Sequence, residues 1–478
     1  MAQPSVDEWQ RSIGGSSTDS TLRCSESFTG ELFIAGTTKS GTIDGISTSE
    51  NLNNIYISKL TSLGTTVWKK FYGGSADDLL VDVKADNTGG VFLLVSSASA
   101  DGDFAGAAST GLWLIHLDVS GNQVLKKFLG GSTGDAGSLF ITSDNEIYVL
   151  GSISVANGTI TPIGGSDLWL VHSDINGNII WQKNYGGTAD ERPTQVLIEN
   201  NSLFILGSSN SSTVNSQTNH GNLDVLLLKA DTAGVVSKTK LYGGSLIDLA
   251  VGMVSGDAGD LLILANSTSN DGDIFTSNGG VDMWVFSVDS TIALSFIYNS
   301  NYGGTGDDFG TSILYNEVLS VPILLGHTED QTLYGSNTIN VGTNLIMMQL
   351  VAFGGVQWSE YRGGDLNEIG GDLIATADGG ILFTGSSSSN NGDLMANAGG
   401  SDFWIYKSNY PCPDNLNLDG AVYKRSITRK ADNYISTSSK FVGLPSKVTL
   451  RSGYIVLEPG FQVDPGVVFQ TQIGGCNN

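Results

Sequence analysis

Seven Gly-Gly pairs, at 14-15, 73-74, 130-131, 186-187, 243-244, 303-304 and 363-364, recur at spacings of 59, 57, 56, 57, 60 and 60 residues. A period of this length means that one supersecondary unit is reused along the chain. In the second unit four apolar runs, DLLVDVKAD, GGVFLLVSSAS, TGLWLIHLD and QVLKKFLGG, are separated by turn signals and read as strands a, b, c and d. The a-b turns (DNTGG, SDNE, GDAGD, ADGG) and the c-d turns (VSGN, INGN, TAGV) carry hairpin chemistry, with Gly or Asn taking positive φ. Each unit is therefore an antiparallel four-stranded meander, and seven of them predict an all-β chain with a seven-bladed β-propeller.

The two ends of the repeat are fragments. The last unit, residues 363 to 409, has strands a, b and c (GGDLIATAD, GILFTGSSSS, SDFWIYKS) and breaks at Pro411 without a d strand. Near the N-terminus, EWQRSI is a d strand without its unit. Pairing residues 6-13 with the last strand c completes the seventh blade, closes the ring and removes an exposed edge. The expected domains are a propeller over 1-410 and a small β domain over 411-478.

Composition narrows the partners. With 63 Gly, 15% charged and 40% hydrophobic residues and no G-X-Y period, the chain is neither disordered nor collagen-like. The net charge of −25 is uneven: residues 1-410 hold 16 Lys/Arg against 43 Asp/Glu, and residues 411-478 hold 7 against 5. A surface at −27 repels phosphate backbones and anionic lipids, so nucleic acid and direct lipid binding are not expected. No run of about eighteen apolar residues spans a bilayer, and no basic-then-apolar signal peptide opens the chain. MAQPSV reads as an N-terminus left by processing, with Met1 added in cloning. A monomeric propeller is expected.

Cys412 and Cys476 bracket the tail as a disulfide staple around a small domain would, which favours an oxidising, extracellular compartment. Two free core thiols are the other reading. Cys24 lies in an inner strand and is expected to be buried and unpaired.

The pattern W-x-K-x-Y-G-G-S-x-x-D, followed by D-G-G, G-x-S-x-S, D-G-D and D-x-W-(L/I), appears in VWKKFYGGSADD, ATADGGILFTGSSSS and GGSDFWIYK. It resembles the propeller repeats of secreted Bacteroidota proteins over residues 6-409. The tail, KVTLRSGYIVLEPGFQVDPGVVFQTQIGGC, resembles the three-coathanger stack domain, with the L-x-P-G-F turn at Leu457, Pro459, Gly460 and Phe461 and a closing Cys. These resemblances imply display at the cell surface, commonly through type IX secretion, and contact with outer-membrane surface machinery.

Two sets of polar residues recur. An acid stands four residues after each second Gly: Asp19, Asp78, Asp135, Glu191, Asp248, Asp308 and Glu368. These could ring the channel mouth, or each could accept N-H bonds within its own Gly-rich turn, and recurrence in every unit favours the turn. A second acid or amide opens strand c at Asn54, Asp167, Asp224, Asp282, Asn344 and Asp402, and Trp113, Trp169, Trp284 and Trp404 follow as packing between blades.

Metal and catalytic signals are sparse. D-G-D or its variant in three b-c loops gives the pairs Asp101/Asp103, Asp271/Asp273 and Asn391/Asp393, whose oxygen ligands would suit calcium, whereas a plain Asp-Gly turn needs no ion. No other cofactor is expected. His116 and His172 occupy a strand-c position taken elsewhere by Lys59, Lys229, Ser287, Gln349 and Lys407 and read as repeat surface, while His220 and His327 are isolated. No G-x-S-x-G elbow supports a Ser/His/Asp triad.

A specific site must break the sevenfold repeat. Departures are Arg23, Arg192, Glu329, Asp330, Arg362 and Asp365, each of which could equally be a surface ion pair. The Gly-Gly turns and long b-c loops share one face and the tight hairpins the other. The expected function is extracellular or cell-surface binding of a partner protein or polysaccharide by the loop face, without catalysis. A glycan-active hydrolase or lyase using loop-face carboxylates and a structural role in a surface assembly are the alternatives.

Overall fold

The structure is a computed structural model. It describes residues 6-47, 52-106, 110-131, 136-142, 144-256, 259-289, 291-316, 321-330, 342-351, 354-394 and 397-409, and in the tail 415-418, 422-423, 427-431, 433-441, 446-465 and 467-473. Seven four-stranded antiparallel sheets are present, each a meander whose strands pair in the order a-b-c-d. In blade 1 they are Asp19–Glu26, Leu32–Thr38, Asn54–Leu60 and Thr66–Tyr72. Strands b and c read as continuous apolar runs because neighbouring blades cover both of their faces, and every residue of Leu32–Thr38 and Asn54–Leu60 is buried.

The seven a strands pack against one another around the axis. They are Asp19–Glu26, Asp78–Ala85, Ala136–Ile141, Glu191–Glu199, Asp248–Ser255, Asp308–Asn316 and Glu368–Ala375. All seven shift register against strand b near their third residue, as at Leu80/Asp82 and Pro193/Gln195. The bulge twists the strand tightly enough for the ring to close around a narrow axis.

Val6–Ile13 pairs antiparallel with Asp402–Asn409 and is strand d of the seventh blade. It also latches onto blade 1. The Trp9 indole N-H donates to Ser62 O (2.9 Å), and the ring lies over Gly64, where a Cβ would come within 2.9 Å of it. Gly64 sits at φ +78, so the position asks for glycine on conformational grounds as well. The same latch recurs where Trp68 donates to Val119 O and covers Gly121. The four strand-c tryptophans are buried between blades, Trp113 among Phe33, Ala35 and Ile57 of blade 1 and Trp404 among Leu325 and Met347 of blade 6.

The tail is built differently from the blades. Among the described residues, nine short strands form three three-stranded sheets in which each strand pairs in parallel with the one three places on, so the chain climbs in three-sided coils. Leu418, Ile435, Phe441, Val448 and Leu450 fill the coil and Phe461 and Phe469 stack edge-on at 5.0 Å. Leu457, the first residue of the L-x-P-G-F turn, is 48% exposed. Cys412 and Cys476 lie outside the described residues. Cys24 is buried and unpaired.

Candidate functional site

The recurring acids are built into the turns. Asp19, Asp78, Glu191, Asp248, Asp308 and Glu368 are fully buried. Each accepts the N-H of the second Gly four residues earlier, as Asp78 does from Gly74 (2.9 Å) and Glu191 from Gly187 (2.9 Å). In blades 1, 2, 4 and 5 two hydroxyls from the end of strand b complete the shell, as Ser209 and Ser211 do on Glu191 at 2.6 and 2.7 Å. Burial raises the pKa of Asp19 to about 6 and pushes Asp78, Glu191, Asp248 and Asp308 up as well. Asp135 lies outside the described residues.

Each strand-c acid belongs to the same seam. The charge of Asp282 adds to the burial that raises Asp308, and that of Asp402 to the burial that raises Asp19, because strand c of one blade opens beside strand a of the next. A Cβ on Gly303 would overlap Asp282 Oδ1, so the first Gly of the pair is demanded by a carboxylate packed on its Cα.

The D-G-D acids clamp the same turns from the b-c loop. Asp101 accepts from Ser75 N (2.8 Å) and Asp103 from Gly73 N (2.9 Å). Asp271 accepts from Ser245 N (2.7 Å) and Asp273 from Gly243 N (3.2 Å), and Asn391 and Asp393 repeat the arrangement on Asp365 N and Gly363 N. Backbone donors hold Asp101 and Asp271 below the ordinary carboxylate range. Among the described residues no three His, Cys, Asp or Glu side chains are grouped to hold a metal.

The histidines differ from their reading as surface or isolated residues. His116 binds Asp86 at 2.6 Å and stacks on Phe92 (3.9 Å between centroids), and His172 stacks on Tyr148 (4.3 Å) within reach of Glu146. Lys407 and Lys59, at the same strand-c position, are buried and turn back to Asp378 and Glu31 of their own a-b turns. The shared position therefore ties strand c to the a-b hairpin, a role that either a Lys or a His can fill. His220 pairs with Asp224 at 2.8 Å, and burial lowers His327 to about 4, so it stays neutral against Phe309.

The departures from the repeat scatter. Arg362 ties blade 6 to blade 7, binding Asp7 (2.7 Å) and Glu360 and covering the Tyr406 ring at 4.2 Å. Asp365 exchanges hydrogen bonds with Asn391, and Asp330 accepts from Gly306 N (3.0 Å) beside Glu329. Arg192, second residue of the fourth inner strand, is exposed and forms no ion pair among the described residues. It stands in blade 4, away from the blade 6/7 seam that holds Arg362 and Asp365.

Two asymmetries emerge that motif reading missed. On the loop face, the second and third positions after Gly-Gly are Ala76 and Asp77 in blade 2 and Ala189 and Asp190 in blade 4, yet Leu246 and Ile247 in blade 5 and, at the second, Leu366 in blade 7. Leu246, Ile247, Leu366 and Ile369 are 43 to 53% exposed, with Leu249 and Phe309 half-buried at the equivalents of Arg192 and Ile369. Blades 5 and 7 thus expose aliphatic side chains beside their Gly-Gly turns, whereas blade 6 between them has Gly306 and Asp307 there, as blade 2 has Ala76 and Asp77.

The second asymmetry is an axial cavity of about 660 Å³ toward the hairpin end. At one inner-strand register the seven blades place Arg23, Asp82, Ser138, Gln195, Gly252, Ser312 and Asp372. Five of them accept an N-H from the next blade, Asp82 from Leu139 (2.8 Å), Ser138 from Val196 (2.9 Å), Gln195 from Met253 (2.7 Å), Ser312 from Leu373 (3.2 Å) and Asp372 from Cys24 (3.3 Å). Arg23 and Gly252 break this belt. Lys84 binds Asp82 at 3.1 Å. Burial alone would lower its pKa, but Asp82 and Asp372 outweigh that and raise it.

No family model matches the chain, and no curated protein matches it. Solved structures do. An ulvan lyase, representing a polysaccharide lyase family, is 10% identical with a TM-score of 0.50, over 84% of this chain and 96% of that one. A protein of unknown function from Dyadobacter fermentans is 11% identical with a TM-score of 0.40, over 85% and 99%. An α-L-arabinanase from Penicillium chrysogenum is 8% identical with a TM-score of 0.42, over 83% and 98%. At such identities the likeness is one of fold.

Proposed function

We propose that the protein is a non-catalytic binding protein of the cell surface or extracellular space whose loop face engages a partner protein. The observation that carries this reading is the exposure of the aliphatic side chains Leu246 and Ile247 of blade 5 and Leu366 and Ile369 of blade 7 on the loop face. Exposed apolar groups on a polar face mark association sites, and loops set on a rigid scaffold are where specificity accumulates. Aliphatic side chains suit protein surfaces better than sugar rings, which stack on flat aromatic faces. The acidic field of residues 1-410 favours a partner with basic residues around an apolar anchor.

The loop-face carboxylates that an enzyme would use are engaged by backbone N-H groups, which supports binding over glycan cleavage. The test is retention of surface extracts and of a polysaccharide panel on immobilised protein, with released products scored in parallel. Protein capture lost on changing Leu246→Ser and Leu366→Ser together is the expected result. Turnover of a polysaccharide that one carboxylate substitution abolishes would replace this reading with the enzymatic one.

A further inference from the structure

We propose that the axial cavity is a separate binding site for a small organic carboxylate with an apolar body, and that Arg23 is its anchor. The cavity is built from inner strands and opens toward the hairpins, so this site is distinct from the loop face and goes beyond the reading above. Its volume of about 660 Å³ lies within the range of small-molecule sites, roughly 300 to 1,000 Å³.

The charged wall is one-sided. At the register of Lys84, blade 1 has Ser25, and the other five blades have Phe140, Leu197, Val254, Leu314 and Ile374. Blades 7, 1 and 2 hold Asp372, Arg23, Asp82 and Lys84. A ligand spanning the cavity therefore meets charge at one side and hydrocarbon at the other.

The carboxylates on that wall already have donors. Asp82 takes Leu139 N and Val83 N (2.8 Å each) and Lys84, Asp372 takes Cys24 N and the Ser312 hydroxyl (3.2 Å), and Glu26 takes Ala377 N (2.6 Å). Lys84 has its carboxylate. The Arg23 guanidinium makes no hydrogen bond or ion pair among the described residues, although it stands close enough to Lys84 for the two cations to repel. An anion between them would relieve that repulsion and fill the planar fork of donors, for which a carboxylate is the geometric match. The chain's negative charge does not forbid this, because at about 0.15 M salt distant charges are screened beyond roughly 8 Å.

The experiment is calorimetric titration of the full chain with 4-phenylbutyrate and hexanoate, each against its amide, at about 0.15 M salt. Carboxylates should bind at least about tenfold tighter than their amides, the worth of a charge-assisted hydrogen bond. Arg23→Gln should erase that preference, with an unchanged melting curve because Arg23 holds no protein group. The Leu246→Ser/Leu366→Ser protein should keep it, so failure here and failure of the loop-face reading are distinguishable. Equal affinity for acid and amide, no binding of either acid at about 10 mM, or a preference that survives Arg23→Gln would each overturn the proposal. The acid-amide comparison uses the native sequence, so a variant that fails to fold does not obscure the answer.

Discussion

Removing residues 1-13 should open the ring, and the structure sets the size of the effect. The ladder hydrogen bonds of Val6–Ile13 roughly offset the backbone entropy of ordering those residues, so side-chain contacts decide the net. Ile13 is 4% exposed, and losing its burial costs about 2 kcal/mol. The Trp9 contact with Gly64 and Ser62 and the Arg11 bond to Gly64 O (2.6 Å) are worth about 2 kcal/mol together. Lys407, fully buried, loses Glu8 (2.6 Å) and keeps Asp378, at about 1 kcal/mol more. About 5 kcal/mol against an unfolding entropy of roughly 0.85 kcal/mol/K for some 400 residues lowers the melting temperature by about 6 °C. Differential scanning calorimetry of the truncated chain measures it, and a peptide of residues 6-13 added in trans should recover part of the loss. A truncated protein that melts within a degree of the full chain would refute closure as the source of stability.

Three further outcomes follow from the same contacts. Gly303→Ala should destabilise by about 2 kcal/mol or more, since its Cβ overlaps Asp282 Oδ1. A melting curve within a degree of the parent would show that the seam can move aside. Alkylation without reduction should modify one thiol after denaturation and none before, because Cys24 is 1% exposed and burial raises its pKa, and because we expect Cys412 and Cys476 to be bonded. Three modified thiols would end the disulfide expectation. EDTA should leave the melting temperature unchanged and elemental analysis should show no stoichiometric zinc or copper. A large shift with EDTA, reversed by calcium, would place an ion at Asp101/Asp103 or Asp271/Asp273 despite their N-H partners.

The blades were legible because their signals are local. Gly-Gly spacing, hairpin turns and continuous apolar runs each report on a few neighbouring residues, and the closing strand followed from counting fragments at the two ends. The a-strand bulge was not legible, since it has no composition of its own: the extra residue is Val81, Thr194, Val251 or Thr311. The strand-c histidines His116 and His172 were read as surface because a polar side chain near the end of a strand looks solvated, whereas each stacks on a strand-b ring and reaches an acid of its a-b turn. The cavity escaped motif reading because Arg23, Asp82 and Asp372 are 59 and 290 residues apart in the chain. They become one group only when inner strands are aligned by their pairing, so that a belt of N-H acceptors appears and Arg23 stands out as the donor within it.

The buried acids at the seams give the fold a pH dependence whose sign can be worked out. Asp19 titrates near 6 in the folded protein against about 3.8 unfolded, because burial outweighs its bonds to Gly15, Thr38 and Ser40. Between those values the folded state holds more protons than the unfolded one, so this contribution is fully present below about pH 4 and is lost as pH rises through about 6. A shift of about two units corresponds to roughly 3 kcal/mol for this one group. Asp78, Glu191, Asp248 and Asp308 are displaced in the same direction by the same cause, which makes the effect a property of the repeat. Thermal stability should therefore fall between pH 5 and pH 7, and Asp19→Asn, which cannot ionise, should reduce that slope. A melting temperature that rises over the same interval, or a slope that Asp19→Asn leaves untouched, would mean that the seam carboxylates are ionised at no cost and that a counter-charge lies beside them.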